Sequence, residues 1–409
     1  MEIKSISLSK QKFLFLLGIT IIYITLVVCL DFLQGDLWRD EIHFWAVSLV
    51  FSDRLLPSID NLRDYDALNT PLPFIIFGGL EYLFHEGVLL GRLLNLILSL
   101  TIVFIIGWPR QDKRERAILC LMGLLIYPYY LPLSGRLYTE IIACFWVIMG
   151  FISYLRNRHL LSSIAFILAI ASRQYMIAFP AAIATYEFII AIAKAQRLRK
   201  INLVAQWRWL LPLIAVLSIF GWIWLFQGLA PETAISNRAP EVQETTWTVQ
   251  PGAAINFLAV VSFYIVIPEF ILFQPWNKLK TLKQQWRKIT FIAASLLLCF
   301  LIFPPLLVAS GQVIKIAKLL PQDSLKMILF YSLSLLTCVR FSQPNLMFLI
   351  VLFNSLIMIK TYPGGDKYVF PLVVIFWYLK SVGLEEKFAI FKQQDVVAVK
   401  EHTSGTVSP

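Results

Sequence analysis

The chain has 409 residues, 58% of them apolar and only 15% charged, with a formal net charge of +11. A soluble domain is nearer half apolar and a quarter charged, which sets aside a water-soluble fold. The positive charge does not imply nucleic acid, because Lys and Arg stand in short clusters between apolar runs, where they act as topology signals. Cys29, Cys120, Cys144, Cys299 and Cys338 lie singly in apolar stretches with no CxxC. They indicate neither a metal site nor a disulfide framework and are expected as buried thiols.

In chain order, the basic N-terminus (Lys4, Lys10, Lys12) leads into an apolar run that is long for a signal peptide and has no small-residue cleavage site. It is expected as a retained first helix. Membrane-spanning helices are expected near 13–33, 88–107, 117–133, 139–155, 160–172, 175–193, 209–227, 253–273, 290–309, 325–339, 345–359 and 368–382. About twelve spans put both ends inside. Most of the 36 Lys and Arg then fall on inner segments, in line with the positive-inside rule.

Pro71 to Phe84 is left out of that count. Its roughly 14 residues make about 21 Å of helix against a hydrocarbon core of about 30 Å. It carries Glu81 and follows Asn69-Thr70-Pro71, a cap with proline at the first helical position. It is expected to lie flat on the outer surface. The fold class is therefore all-α: a polytopic transmembrane helical protein with juxtamembrane helices in its first outer loop. Residues 1–392 are expected to form one domain, with 34–87 as the longest outer loop and 228–252 the next, and 393–409 as a disordered inner tail.

Chemistry-bearing residues concentrate on the outer side. In Asp40-Glu41-Ile-His43-Phe44-Trp45, Asp40 opens a short amphipathic helix whose Ile42, Trp45, Ala46 and Leu49 share a face, with Asp40 pointing away from it. Asp40 and Glu41 are also what a simple helix start favours. His43 reads as a polar surface or packing residue. Asp53 and Asp60 read as a solvated face, whereas Asp64 and Asp66 are placed to orient an acceptor hydroxyl. Arg136 and Glu140 flank a helix mouth, either as an i,i+4 pair or as part of a cavity lining. Arg173 and Gln174 form a tight outer turn suited to phosphate binding or to snorkelling. In Gly364-Gly365-Asp366-Lys367-Tyr368, glycines free the backbone beside a point charge, as in an ordinary turn. Arg92 opens the second span on the same side. Glu241 and Trp247 are expected to help shape an acceptor site.

The order of these features resembles the C-type glycosyltransferase superfamily, polytopic enzymes that use polyprenyl-phosphate-linked sugars. Asp40-Glu41-Ile-His43 is similar to the first-loop motif of protein O-mannosyltransferases. More of the chain, roughly 36–180, resembles the dolichyl-phosphate-glucose α-1,2-glucosyltransferase family. The matching features are Thr70-Pro71-Leu-Pro73, Arg92-Leu-Leu-Asn95, Tyr127-Pro128, Tyr138-Thr-Glu140, Arg173-Gln174 and Lys367-Tyr368. The chain departs from that family at Tyr175-Met176, where threonine and asparagine are usual, and at Asp366-Lys367, where arginine and histidine are.

The resemblance implies inverting transfer of a hexose, glucose or mannose, from a dolichyl or undecaprenyl phosphate donor to a glycan or lipid-linked acceptor on the outer side. Asp40 would be the general base and Glu41 would assist or orient the acceptor. Arg173 would bind the donor phosphate, supported by Lys367 or Arg136, with His43, Arg92, Glu140, Gln174 and Tyr368 lining the site. No metal or other cofactor is expected, since Arg and Lys can hold a monophosphate. The absence of an Asn-x-Ser/Thr sequon favours a bacterial inner membrane, with the endoplasmic reticulum as the alternative. The rival readings are a transporter or lipid-linked-sugar flippase, and a non-catalytic scaffold.

Overall fold

Runs of Leu, Ile, Val and Phe bounded by Gly, Pro and charged clusters fold as helices throughout. The chain, seen in a computed structural model, is 78% helical, with no strand among the described residues. Those are 2–29, 31, 33–108, 114–198, 203–245, 248–274, 285–306, 310–360 and 365–384. The expected tail at 393–409, and Gly364 and Trp247, lie outside them.

The helices that matter below are α1 (Glu2–Cys29), α2 (Arg39–Leu49), α3 (Ile59–Arg63), α4 (Leu72–Phe84), α5 (Val88–Gly107), α6 (Arg114–Leu125), α7 (Tyr130–Ser134), α8 (Thr139–Leu155) and α9 (His159–Ser172). They continue with α10 (Ala178–Leu198), α11 (Leu203–Phe226), α12 (Glu232–Ser236), α13 (Pro240–Thr245), α14 (Pro251–Val261) and α15 (Ile267–Phe273). The last are α16 (Trp286–Ile302), α17 (Gln312–Lys318), α18 (Asp323–Arg340), α19 (Leu346–Met358) and α20 (Phe370–Val382).

Among the described residues, four stretches are long and apolar enough to cross a membrane: Val88–Gly107, Gln174–Ala193, Trp207–Phe226 and Pro251–Phe273. Several other expected spans are shorter. α8 has 17 residues, α9 14, and α19 and α20 13 each, against about 20 for a full crossing. The span expected at 117–133 breaks after Leu125 and resumes as α7 at Tyr130, across Pro128. The first helix ends at Cys29 rather than at 33, and the ninth expected span ends at Ile302 rather than at 309.

Packing follows size. α20 is buried along nearly its whole length, from Phe370 to Ser381, and forms the centre of the bundle. Trp377 is fully buried against Gly123 of α6, where any side chain would collide with its indole ring. Pro268 explains the π-helical turn Ser262–Val266 between α14 and α15, because its ring displaces the preceding carbonyl. Phe220, Trp224, Phe291 and Leu301 project outward, as lipid-facing residues do. The thiols are free. Cys120 and Cys144 are buried as expected, but Cys29 and Cys299 are exposed on the same apolar exterior.

Two ends of the bundle carry charge. At one end, α15, α18 and α20 are joined by Glu269, which accepts from Arg340 at 2.7 Å and from Lys380 at 2.7 Å. At the other end the first loop, α5, α8, the α9–α10 turn and the start of α20 meet. α4 packs beside α2 there. Asn69 and Thr70 do not cap α4 as expected. The Thr70 hydroxyl donates to the Ile170 carbonyl, and the Asn69 side chain accepts from Arg173.

Candidate functional site

Consecutive residues on a helix are turned by about 100°, so two adjacent acids cannot share a face. Asp40 and Glu41, in the first turn of α2, have opposite surroundings for this reason. Glu41 joins Phe44, Val47 and Ser48 on the buried face, while Ile42, Ala46 and Leu49 stay exposed.

Glu41 is 0% exposed. Its carboxylate accepts from Arg92 Nε at 3.0 Å and Nη2 at 3.1 Å, and from Arg136 Nη1 at 2.9 Å. The backbone N–H groups of Leu137 and Trp38 donate to it at 2.8 and 3.0 Å. Burial would push this carboxyl up, but the Arg92 guanidinium, those two N–H groups and Arg136 outweigh it and hold it below the usual carboxylate range. Arg92 also donates to the carbonyls of Leu33 and Gly35, and the Arg136 guanidinium lies 3.7 Å from the centre of the Trp38 ring. One helical turn on, the Asn95 amide donates to the carbonyls of Arg136 and Tyr138. The start of α5 thus pins both the first loop and the entry to α8. Every face of the Glu41 carboxylate is used. It ties α2 to α5 and to the entry of α8. Arg92 and Arg136 belong to the same clamp.

Asp40, turned about 100° from Glu41, keeps a side chain 47% exposed and meets Lys367 Nζ at 3.2 Å. Lys367 is 28% exposed and lies 4.0 Å from Glu140 Oε1. Glu140 is buried and pairs with Arg173 Nη2 at 2.5 Å. The expected i,i+4 pair of Arg136 and Glu140 is absent because α8 begins only at Thr139, which leaves Arg136 off the helix. Arg173 also donates to Thr139 Oγ1 and to Asn69 Oδ1, at 2.8 and 3.1 Å. Gln174 donates to the Leu68 carbonyl. The result is an alternating row, Asp40, Lys367, Glu140, Arg173, with its exposed end at Asp40. Burial pulls the Lys367 ammonium down, but Glu140 and, more weakly, Tyr368 and Asp40 outweigh it, so its pKa stands above the ordinary lysine value. Tyr138 and the Tyr175–Tyr368 pair form the aromatic wall around it.

Asp366 orients that lysine. It is buried, and its carboxylate accepts from Tyr264 at 2.6 Å and from the N–H of Gln312 at 2.6 Å. Its carbonyl accepts from Tyr127. Burial pushes the Asp366 carboxyl up. Gly311, at φ +140, lies so close that any side chain would strike Asp366. What reads as an ordinary turn in the sequence is a fixed support.

The segment 228–245 closes the other flank. Asp64 accepts from the N–H of Thr233 at 3.0 Å and from its hydroxyl. Arg238 Nη2 lies 2.9 Å from His43 Nε2 and 3.7 Å from Asp66. Burial and then Arg238 lower the His43 pKa. Asp64 and Asp66 therefore engage the protein itself, and Glu241 is exposed on α13. Arg238 went unmarked in the sequence, Asn69 was marked only as a cap, and Thr139 only within the motif Tyr138-Thr-Glu140. Arg238 alone carried a signal, being the single Lys or Arg between 228 and 252.

Among the described residues, no three His, Cys, Asp or Glu are grouped to hold a metal ion. Comparison with family models, with curated proteins and with solved structures finds no match.

Proposed function

We propose that the chain is a membrane glycosyltransferase of the C type, with about twelve spans, the first loop on the outer side and α4 flat on that surface. It transfers a hexose, glucose or mannose, from a dolichyl or undecaprenyl phosphate donor to a hydroxyl of a glycan or lipid-linked acceptor. The observation that carries this reading is the half-exposed Asp40 carboxylate, held 3.2 Å from Lys367 on a helix anchored by a buried carboxylate clamp. A base and a cation side by side at the exposed end of a charged row suit displacement of a phosphate from a sugar.

In this mechanism the acceptor hydroxyl gives its proton to Asp40 as its oxygen bonds to the anomeric carbon. The bond from that carbon to the phosphate oxygen breaks, and the electron pair leaves with the polyprenyl phosphate. A single displacement inverts the anomeric centre. Lys367 is the cation best placed for the phosphate, since Arg173 is buried and committed to Glu140. Arg173 pairs with Glu140 beside Lys367, with Gln174 and Tyr368 shaping the turn beneath it.

The transporter reading draws on Glu269, Arg340 and Lys380, charges embedded in the bundle. These three satisfy one another, with two ion pairs on a single carboxylate, which suits a structural joint better than a site that must release its cargo.

The test uses membranes bearing the wild type or Asp40→Asn, supplied with radiolabelled polyprenyl-phosphate glucose or mannose and a lipid extract of the native host. Release of label should fall by about 10²-fold or more in the variant. Equal turnover in both would remove Asp40 from its role. No turnover by folded wild type with any donor would favour a transporter or scaffold. EDTA should leave turnover intact; loss restored by a divalent ion would contradict holding of the phosphate by side chains alone.

A further inference from the structure

Within the transferase reading, we propose that Lys367 is a counter-ion shared between Asp40 and the donor phosphate, so that donor binding draws it off Asp40 and frees the base. The acceptor is then activated only after the donor has bound.

The geometry supplies three reasons. First, among the described residues Lys367 is the one cation within ion-pair distance of Asp40, at 3.2 Å. While that pair holds, Asp40 Oδ2 accepts from the ammonium and has one lone pair fewer to offer an acceptor hydroxyl. Second, Lys367 can move without leaving its other neighbour unpaired. Glu140 lies 4.0 Å from it and already has Arg173 at 2.5 Å. A part-exposed ammonium on a four-carbon stem can swing, where a guanidinium fixed in a fork could not.

Third, the charges balance through the reaction. Asp40, Glu140, Lys367 and Arg173 sum to zero, and a sugar-linked phosphodiester adds one negative charge. As the acceptor proton passes to Asp40, that carboxyl becomes neutral. As the bond to the anomeric carbon breaks, the phosphate gains the charge Asp40 lost. Lys367 stands between the two, so its attraction for the phosphate grows as the displacement proceeds. Such a contact accelerates a reaction because it is stronger in the transition state than in the ground state. Asp366, held by Tyr264 and the Gln312 N–H, fixes the backbone from which Lys367 swings.

The experiment measures binding rather than turnover. Farnesyl monophosphate is titrated into the full chain in detergent, as wild type, Asp40→Asn, Lys367→Gln and the double variant. Farnesol and inorganic phosphate are run beside it, and elution profiles check folding. Asp40→Asn should bind farnesyl phosphate about two- to fivefold more tightly, the scale of one part-exposed competing ion pair. Lys367→Gln should bind it at least several-fold more weakly, and the gain from Asp40→Asn should vanish in the double variant. Should Lys367→Gln fold poorly, Lys367→Met removes the same charge on an unbranched stem and gives the same comparison with Asp40→Asn added.

Unchanged or weaker binding by Asp40→Asn, with binding still dependent on Lys367, would overturn the shared counter-ion and leave the transferase reading standing. Farnesyl phosphate binding no better than farnesol in every folded variant would overturn the phosphate site, and the transferase reading with it. Equal response to inorganic phosphate alone would show a site for the free anion rather than a lipid phosphate, and would also overturn the proposal.

Discussion

Replacing Glu41 by glutamine keeps the shape of the side chain and removes its charge. In the native clamp one carboxylate meets two guanidiniums and two N–H donors. A glutamine presents a single oxygen and turns its own N–H groups toward those donors, leaving Arg92 and Arg136 buried without an anion. Removing one partner of a buried ion pair costs about 3–5 kcal/mol. Arg92 keeps the carbonyls of Leu33 and Gly35, so the lower figure of about 3 kcal/mol applies. For a chain of this size that is a fall of roughly 3.5 °C in Tm.

A thiol-reactive dye reads the transition directly, because Cys120 and Cys144 are buried and react only on unfolding. Asp40→Asn is the contrast. Its pair is part-exposed, so its Tm should move by less than about 2 °C. The acid limb gives a second readout. The Glu41 carboxyl is held below its ordinary range, so its contribution is fully present above about pH 4.3 and is lost as pH falls through its lower native value. Below about pH 4 the wild type should lose Tm faster than Glu41→Gln. A Glu41→Gln protein within 1 °C of wild type, taking about 1 °C as the scatter of such melts, with the same acid limb, would refute the clamp.

Glu269→Gln leaves Arg340 and Lys380 facing each other without their shared carboxylate; its Tm should fall about as far as that of Glu41→Gln, and an unchanged Tm would show the joint to be dispensable. Gly123→Ala drives a methyl into the Trp377 ring, whereas Gly79→Ala meets nothing within 4 Å. The first should cost about 1–3 kcal/mol and the second should be neutral or stabilising by about 0.5 kcal/mol, read by the same dye. His43 faces Arg238, Asp66 and Asp40, and its pKa is lowered by burial and Arg238. The contact with Arg238 therefore contributes above about pH 6.5 and is lost as pH falls. In Arg238→Gln the His43 ring should titrate at higher pH; with four histidines in the chain, NMR of labelled rings resolves it, and a shift downward would contradict the contact.

Much of the helical plan was legible because apolar runs end at residues with a strong local effect. α5 spans Val88–Gly107 and α8 spans Thr139–Leu155, as read from the sequence, since Gly87, Trp108-Pro109 and Tyr138 bracket uninterrupted apolar stretches. α6 was read too long because its apolar character continues through Tyr129, while Pro128 denies the backbone a donor. The partners of the charges were not legible. Glu41 meets Arg136 across 95 positions and Arg238 meets His43 across 195, separations at which periodicity carries no information. Nor does the period separate the two acids: Glu41 keeps register with the buried Phe44 and Ser48, and Asp40 with the buried Phe44 and Val47.

Their partners are what give the two adjacent carboxylates different work. Glu41 and Glu269 are each enclosed by two cations, at opposite ends of the bundle. Enclosure makes them good joints and poor reagents, since a carboxylate with every lone pair engaged has nothing to offer a substrate. Asp40 has one movable partner and an open side, so it can accept a proton. The clamp and the reagent depend on each other. Without Glu41 drawing α2 onto Arg92 and Arg136, nothing would hold Asp40 against the lysine that enters from residue 367, more than three hundred positions along the chain. Loss of Glu41 should therefore lower activity through the position of Asp40 while leaving its chemistry intact, and loss of Asp40 should do the reverse.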